Sequence, residues 1–229
     1  MNKDTSTKDP RLISYNTLRK AIGWMGISLP AVMIAGNFLW GHCSSLQDSN
    51  SHYYYTVTGN LFTGILCAVA LFLLAYKGFD RTDHITSSLA GFFALGIAMF
   101  PTNDNSANSC AIIHLPINAI RNYIHYCFAA AFFISLACIS LFLFTKSKGY
   151  KTKEKKLRNK VYRSCGIIIF IAVFLLALYS FFGDHFHSFG KYKPVFWLEW
   201  IALGAFGASW LVKGELILKD SHKKTTPRI

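Results

Sequence analysis

The stretch SCGIIIFIAVFLLALYSFFG, Ser164 to Gly183, decides the fold class: it is twenty residues long and carries no charge. A soluble helix scatters charges over its solvent face every turn or so, whereas ~30 Å of hydrocarbon needs about 20 residues without them. Nine basic residues, from Lys146 to Arg163, stand directly before it. An apolar run of spanning length with such a flank reads as a transmembrane helix whose basic side stays in the cytoplasm.

Working outward, five more runs have the same character, at approximately 21–40, 58–76, 85–101, 123–144 and 194–212. The chain has 229 residues, 24 of them basic and 11 acidic, yet Glu199 is the one charge inside the six runs. A hydrophobic share of 52% exceeds the 45 to 50% of ordinary soluble domains. Disorder, nucleic-acid modules, disulfide miniproteins and cytosolic enzymes are excluded by this segregation. Each run is continuous rather than alternating, which excludes a membrane barrel. The expected fold is an all-α polytopic bundle of six transmembrane helices over 21–212, preceded by a segment 1–20 and followed by a basic tail 213–229.

Of the 24 basic residues, 21 fall in the N-terminal segment, the second and fourth loops and the tail, which places both termini in the cytoplasm. The first run follows a 20-residue polar leader and no small-residue cleavage site, so it reads as an uncleaved span. The third run, Ile85 to Pro101, is short and must cross a thinned bilayer or extend through Thr102. Small residues mark expected helix contacts at Ala90, Ala94 and Ala98, at Gly204 and Ala208, and at Gly23, Gly26 and Gly36. Pro30 should kink the first helix. Trp24, Trp40, Trp197 and Trp200 read as interfacial anchors.

Four helices place a polar side chain in the outer third of the bilayer: Asn37, Asn60, His125 and Glu199. An ionisable group there is costly unless it faces the bundle interior and finds a partner, for which His125 is the nearest candidate. In one reading the cluster lines an outward-facing polar pocket for a lipid, small solute or metal. In the other it is interhelical hydrogen bonding alone. A sharper version adds His185 and His187 to His125 and Glu199 as ligands suited to zinc, although no H-x-x-x-H or H-E-x-x-H pair sets two ligands on one helical face. No other cofactor is implied.

Cys43 and Cys110 fall in the first and third outer loops, where an oxidising compartment permits a disulfide. Cys67, Cys127, Cys138 and Cys165 lie within spans as small packing residues. The Lys146 to Arg163 run reads as a contact for anionic lipid head groups and not for nucleic acid. No phosphate-cradling loop, nucleophile elbow or carboxylate pair is present. The outer loops, with Tyr53 to Tyr55 in the first and Ile112, Ile113, Leu115 and Ile117 in the third, hold enough apolar surface to fold down as caps.

The segments Ser51 to Thr56, Gly59 to Gly64, Ala98 to Thr102 and Phe206 to Glu215 resemble a family of small bacterial multi-helix membrane proteins of unknown function. The resemblance implies a multi-helix fold in a bacterial inner membrane and no activity. Where that family often carries a histidine before the threonine and an Arg-Asp pair, this chain has Tyr55 and Gly59-Asn60. A more distant similarity is to ceramidase-like membrane hydrolases, which hold zinc with a Ser, an Asp and three His; their paired histidines are missing here. The expected function is therefore binding of a lipid or small amphiphile without catalysis. A metal-dependent lipid hydrolase and a small-solute transporter are the alternatives, and the oligomeric state is left open.

Overall fold

The computed structural model describes residues 15–104, 110–147, 152–182 and 190–218. Every regular element among them is helical: α1 Tyr15–Gly41, a short 3₁₀ helix Asn50–Tyr55, α2 Gly59–Ala75, α3 Arg81–Met99, α4 Ala119–Cys138, α5 Lys153–Phe182 and α6 Pro194–Lys213. α4 continues through a π-helical turn, Ile139–Leu143. Helix starts are set locally. Asp80 accepts from the Asp83 N–H at 3.0 Å, Asn118 from the Arg121 N–H at 3.0 Å, and Pro194 opens α6, where a missing N–H is harmless.

Four helical segments are long and apolar enough to cross a membrane: Tyr15–Gly41, Ala119–Leu143, Lys153–Phe182 and Gly190–Lys213. α2 is apolar but has 17 residues, and α3 carries Arg81, Asp83 and His84 in its first turn. α1 and α5 begin earlier than their apolar runs; in α5 the residues before 164 are mostly Lys, Arg and Glu, which are good helix formers. α1 runs on through Pro30.

Each helix packs on the next in sequence, and α6 packs on α1, so the six close into a ring. The α1–α6 seam depends on missing side chains. A Cβ on Gly23 would lie 2.9 Å from the Gly207 carbonyl oxygen and 2.8 Å from Leu211, and one on Gly26 2.7 Å from Phe206. Gly204, which the sequence suggested as the contact glycine of this helix, faces open space instead, because the α1-facing stripe of α6 is rotated to Gly207. Ala90, Ala94 and Ala98 are buried in α3.

The outward surface of the ring is apolar on every helix: Trp24, Leu71, Phe92, Ile134, Phe174 and Ile201 are all exposed. An apolar surface this continuous is foreign to a soluble monomer and suited to lipid.

One end of the ring, the plug end, is closed by the 3₁₀ helix. Tyr53 and Tyr55 are fully buried, and the Tyr55 hydroxyl donates to the Thr102 carbonyl. The Ile112 N–H donates to the Tyr55 carbonyl at 2.8 Å, and a Cys43–Cys110 disulfide, Cα to Cα 5.8 Å, ties the first loop to the third. The first loop thus folds down as a cap. The third does so only by its backbone; its amides are spent on Tyr55, and Ile112, Ile113 and Ile117 point outward and stay exposed. At the opposite, basic end, α1 begins beside the end of α6, where the Asn16 amide donates to Glu215 at 3.3 Å.

Candidate functional site

The plug places two successive residues against two helices. The backbone N–H and side-chain N–H of Asn50 both donate to Glu199 Oε2, at 2.7 and 3.1 Å. Ser51 Oγ lies 3.1 Å from His125 Nε2, and His125 Nδ1 lies 2.8 Å from the Phe100 carbonyl oxygen. A carbonyl can only accept, so Nδ1 carries a proton, and in the neutral ring Nε2 is then bare. Ser51 O–H therefore donates to His125, which is held in one tautomer.

Glu199 and His125 consequently make no hydrogen bond to each other; the Asn50-Ser51 step stands between them. Asn37 is buried with neither atom of its amide partnered, and Asn60 is exposed. Of the four residues read from the sequence, Glu199 and His125 each hydrogen-bond to the plug, whereas Asn37 has no hydrogen-bond partner among the described residues and Asn60 is exposed. Asn50 and Ser51 went unread as site residues because they lie in a loop, outside the spans where depth could be counted. The polar pair ahead of three consecutive tyrosines was the available signal, since buried aromatics carry their neighbours into the bundle.

Beneath the plug lies a chamber of about 40 Å³. Asn50, Ser51 and Glu199 form its roof, and Leu29, Phe62, Leu66, Ile97, Phe132 and Leu203 form its walls. That volume accommodates one or two waters and is far below the roughly 300 to 1,000 Å³ of a typical ligand pocket. Asn50 Oδ1 is buried with no donor among the described residues, sealed from the chamber as well as from solvent. The acceptor group at the roof is the carboxyl of Glu199.

The plug is held from the side by Lys193, which pairs with Asp48, and by the Phe196 N–H, which donates to the Asp48 carbonyl at 3.1 Å. Tyr53 packs on Phe196, ring centroids 6.2 Å apart, and burial pushes its phenol up to about 12. His52 Nδ1 lies 2.6 Å from Ser49 Oγ. Burial holds His52 below its ordinary value, although Asp48 and Asp104 pull the other way.

Among the described residues no three His, Cys, Asp or Glu groups come together as a metal site. His185 and His187 lie outside the described residues. Both His125 nitrogens are engaged, so ligation there would exchange the Ser51 hydrogen bond for a metal bond. Against protein-family models, curated proteins and solved structures alike, the chain gives no match.

Proposed function

We propose that this chain is an integral inner-membrane protein of six crossings, with both termini in the cytoplasm, whose plug-end chamber binds a small amphiphile bearing a hydrogen-bond donor. Six crossings are supported by the ring itself. α2 and α3 stand between α1 and α4 and expose Leu71 and Phe92 as the longer helices expose their own apolar faces. At 1.5 Å per residue, 17 residues of α2 reach about 26 Å, a crossing that a thinned bilayer accepts. Orientation is supported by the 21 basic residues whose segments all lead to the basic end. A cysteine introduced at Ser45 should label from outside the cell and one at Thr17 should not; the reverse pattern refutes the orientation.

The observation that carries the binding reading is the roof. The Glu199 carboxyl sits over walls that are entirely apolar. A hydroxyl or ammonium head satisfies the first, and a short apolar body fills the second. The 40 Å³ chamber is the closed state, and uptake needs the Asn50–Tyr55 helix to lift. Native mass spectrometry of the purified protein should find a retained amphiphile that Glu199→Gln releases. Retention unchanged by that substitution refutes the site.

The Ser51–His125 hydrogen bond favours a second reading, a hydrolase in which His125 activates Ser51. Covalent labelling by a fluorophosphonate, lost in Ser51→Ala, would replace binding by catalysis. Stoichiometric zinc, lost in His125→Ala, would instead favour metal-dependent hydrolysis of a lipid.

A further inference from the structure

A second cavity, of about 400 Å³, opens beside the plug, between the end of α5 and the start of α6. Asp48, Tyr179, Lys191, Lys193, Pro194 and Val195 line it. It shares no lining residue with the chamber, and its volume falls within the roughly 300 to 1,000 Å³ of a typical ligand pocket. Two local features make the room. Beyond Ala172, α5 buries no further residue up to its end at Phe182, so its last turns stand off the bundle. On the other side Lys193 takes a left-handed backbone, φ 54°, and its N–H returns to the Gly190 carbonyl at 3.0 Å, which turns the chain sharply into α6.

The cavity is positively charged. Asp48 balances Lys193, whereas Lys191, exposed over the Tyr192 ring at 4.9 Å, pairs with no carboxylate among the described residues. α6 begins on the cavity wall at Pro194 and adds the positive end of its dipole to the two ammonium groups. The Tyr179 hydroxyl, 3.7 Å from where a Cβ on Gly190 would stand, supplies a neutral donor. Ammonium donors and a hydroxyl around one opening suit the several acceptor oxygens of a phosphate. The surrounding surface is that of a membrane interface. Tyr192 and Trp197 are exposed beside the cavity, where amphipathic rings settle at head-group depth, and Leu178, Phe181 and Ile201 expose apolar side chains for an acyl chain to cover.

We propose that this cavity is a phosphate site, in which Lys191 and Lys193 hold the phosphate of a phospholipid head group or of a free phosphate ester. Which leaflet supplies the lipid rests on the orientation proposed above; the site itself does not. The test uses the full chain, with isotope-labelled valine methyl groups, in phosphate-free maltoside micelles, and reads the Val195 resonances by NMR, assigned through Val195→Ile. Dihexanoyl phosphatidylglycerol should shift them, and Lys191→Gln should weaken that response about tenfold, the loss of one charged hydrogen bond. Lys191→Arg should retain it, and Lys77→Gln, at the basic end, should leave it unchanged. An equal response to glycerol phosphate, which has no acyl chain, assigns the site to the free ester. Dihexanoylglycerol, which has no phosphate, should shift nothing. A response to it equal to that of the phospholipid overturns the proposal, as does a phospholipid response that Lys191→Gln leaves intact, or no response to either phosphate compound. Unshifted resonances of the other valines show that a variant is folded.

Discussion

Replacing Glu199 by Leu removes the acceptor of two N–H groups on a residue that is 3% exposed. A hydrogen bond to a charged group contributes about 1.5 to 3 kcal/mol, and the Asn50 backbone N–H cannot turn to water inside the plug. The two bonds together therefore come to about 3 to 6 kcal/mol. The added methyl groups of Leu recover about 1 kcal/mol by transfer. The expected loss is about 2 to 5 kcal/mol. Glu199→Gln keeps one carbonyl oxygen in place for both donors and forfeits only the charge, which is worth about 1 kcal/mol. For a chain of this size each kcal/mol corresponds to about 2 to 4 °C in Tm. Thermal unfolding in detergent should place Leu about 4 to 20 °C below the parent and Gln about 2 to 4 °C below. The same ranking should appear in the rate at which the plug releases Tyr53 and Tyr55 to proteolysis. A Leu variant as stable as the parent, or Gln and Leu variants falling together, would refute the argument that Glu199 holds the plug through its acceptor oxygen.

The Cys43–Cys110 bond closes a loop of sequence separation 67, so Cys43→Ser should lower stability by about 4 kcal/mol on the chain-entropy account, measured by unfolding with and without reductant. An unchanged midpoint would show that the loops are held by Tyr55 alone. His52 binds its proton less readily when buried than when free, so its contribution is complete above 6.5 and declines as pH falls from there towards the lower folded value. Asp48 and Asp104 soften this loss and Lys193 deepens it; His52→Gln should remove the acid sensitivity of the midpoint, and its persistence would assign it elsewhere. Gly207→Val sets a Cβ 2.5 Å from the Gly23 carbonyl oxygen and should cost about 1 to 3 kcal/mol or more by overpacking, whereas Gly204→Val, in open space, should be near neutral. Equal effects at the two positions would contradict the seam.

The membrane class was legible because hydrocarbon excludes charge over a fixed length, a one-dimensional constraint that a sequence displays directly. Glu199 stood out on the same grounds. Its partner did not, since Asn50 lies 149 positions away in a loop, where no depth or periodicity assigns it a place. The helix face was equally hidden. Gly204 and Gly207 both suit a helix contact, and only the rotation imposed by the ring selects the second. α3 gave a weak signal because its first turn is polar, and Asp80 and Asp83 earn their place by binding Lys146 rather than by hydropathy. His185 and His187 lie outside the described residues.

The seam between α1 and α6 bears on how the molecule is made. Gly23 and Gly26 belong to α1, and their partners Phe206, Gly207 and Leu211 belong to α6, which is synthesised well after it. Until α6 is made the glycine face of α1 lacks its native neighbour, and small residues leave it open to close approach by another helix. The seam is therefore a contact that forms late, after the helices between have been inserted. A chain stalled or clipped before α6 would display an adhesive first helix to quality-control proteases.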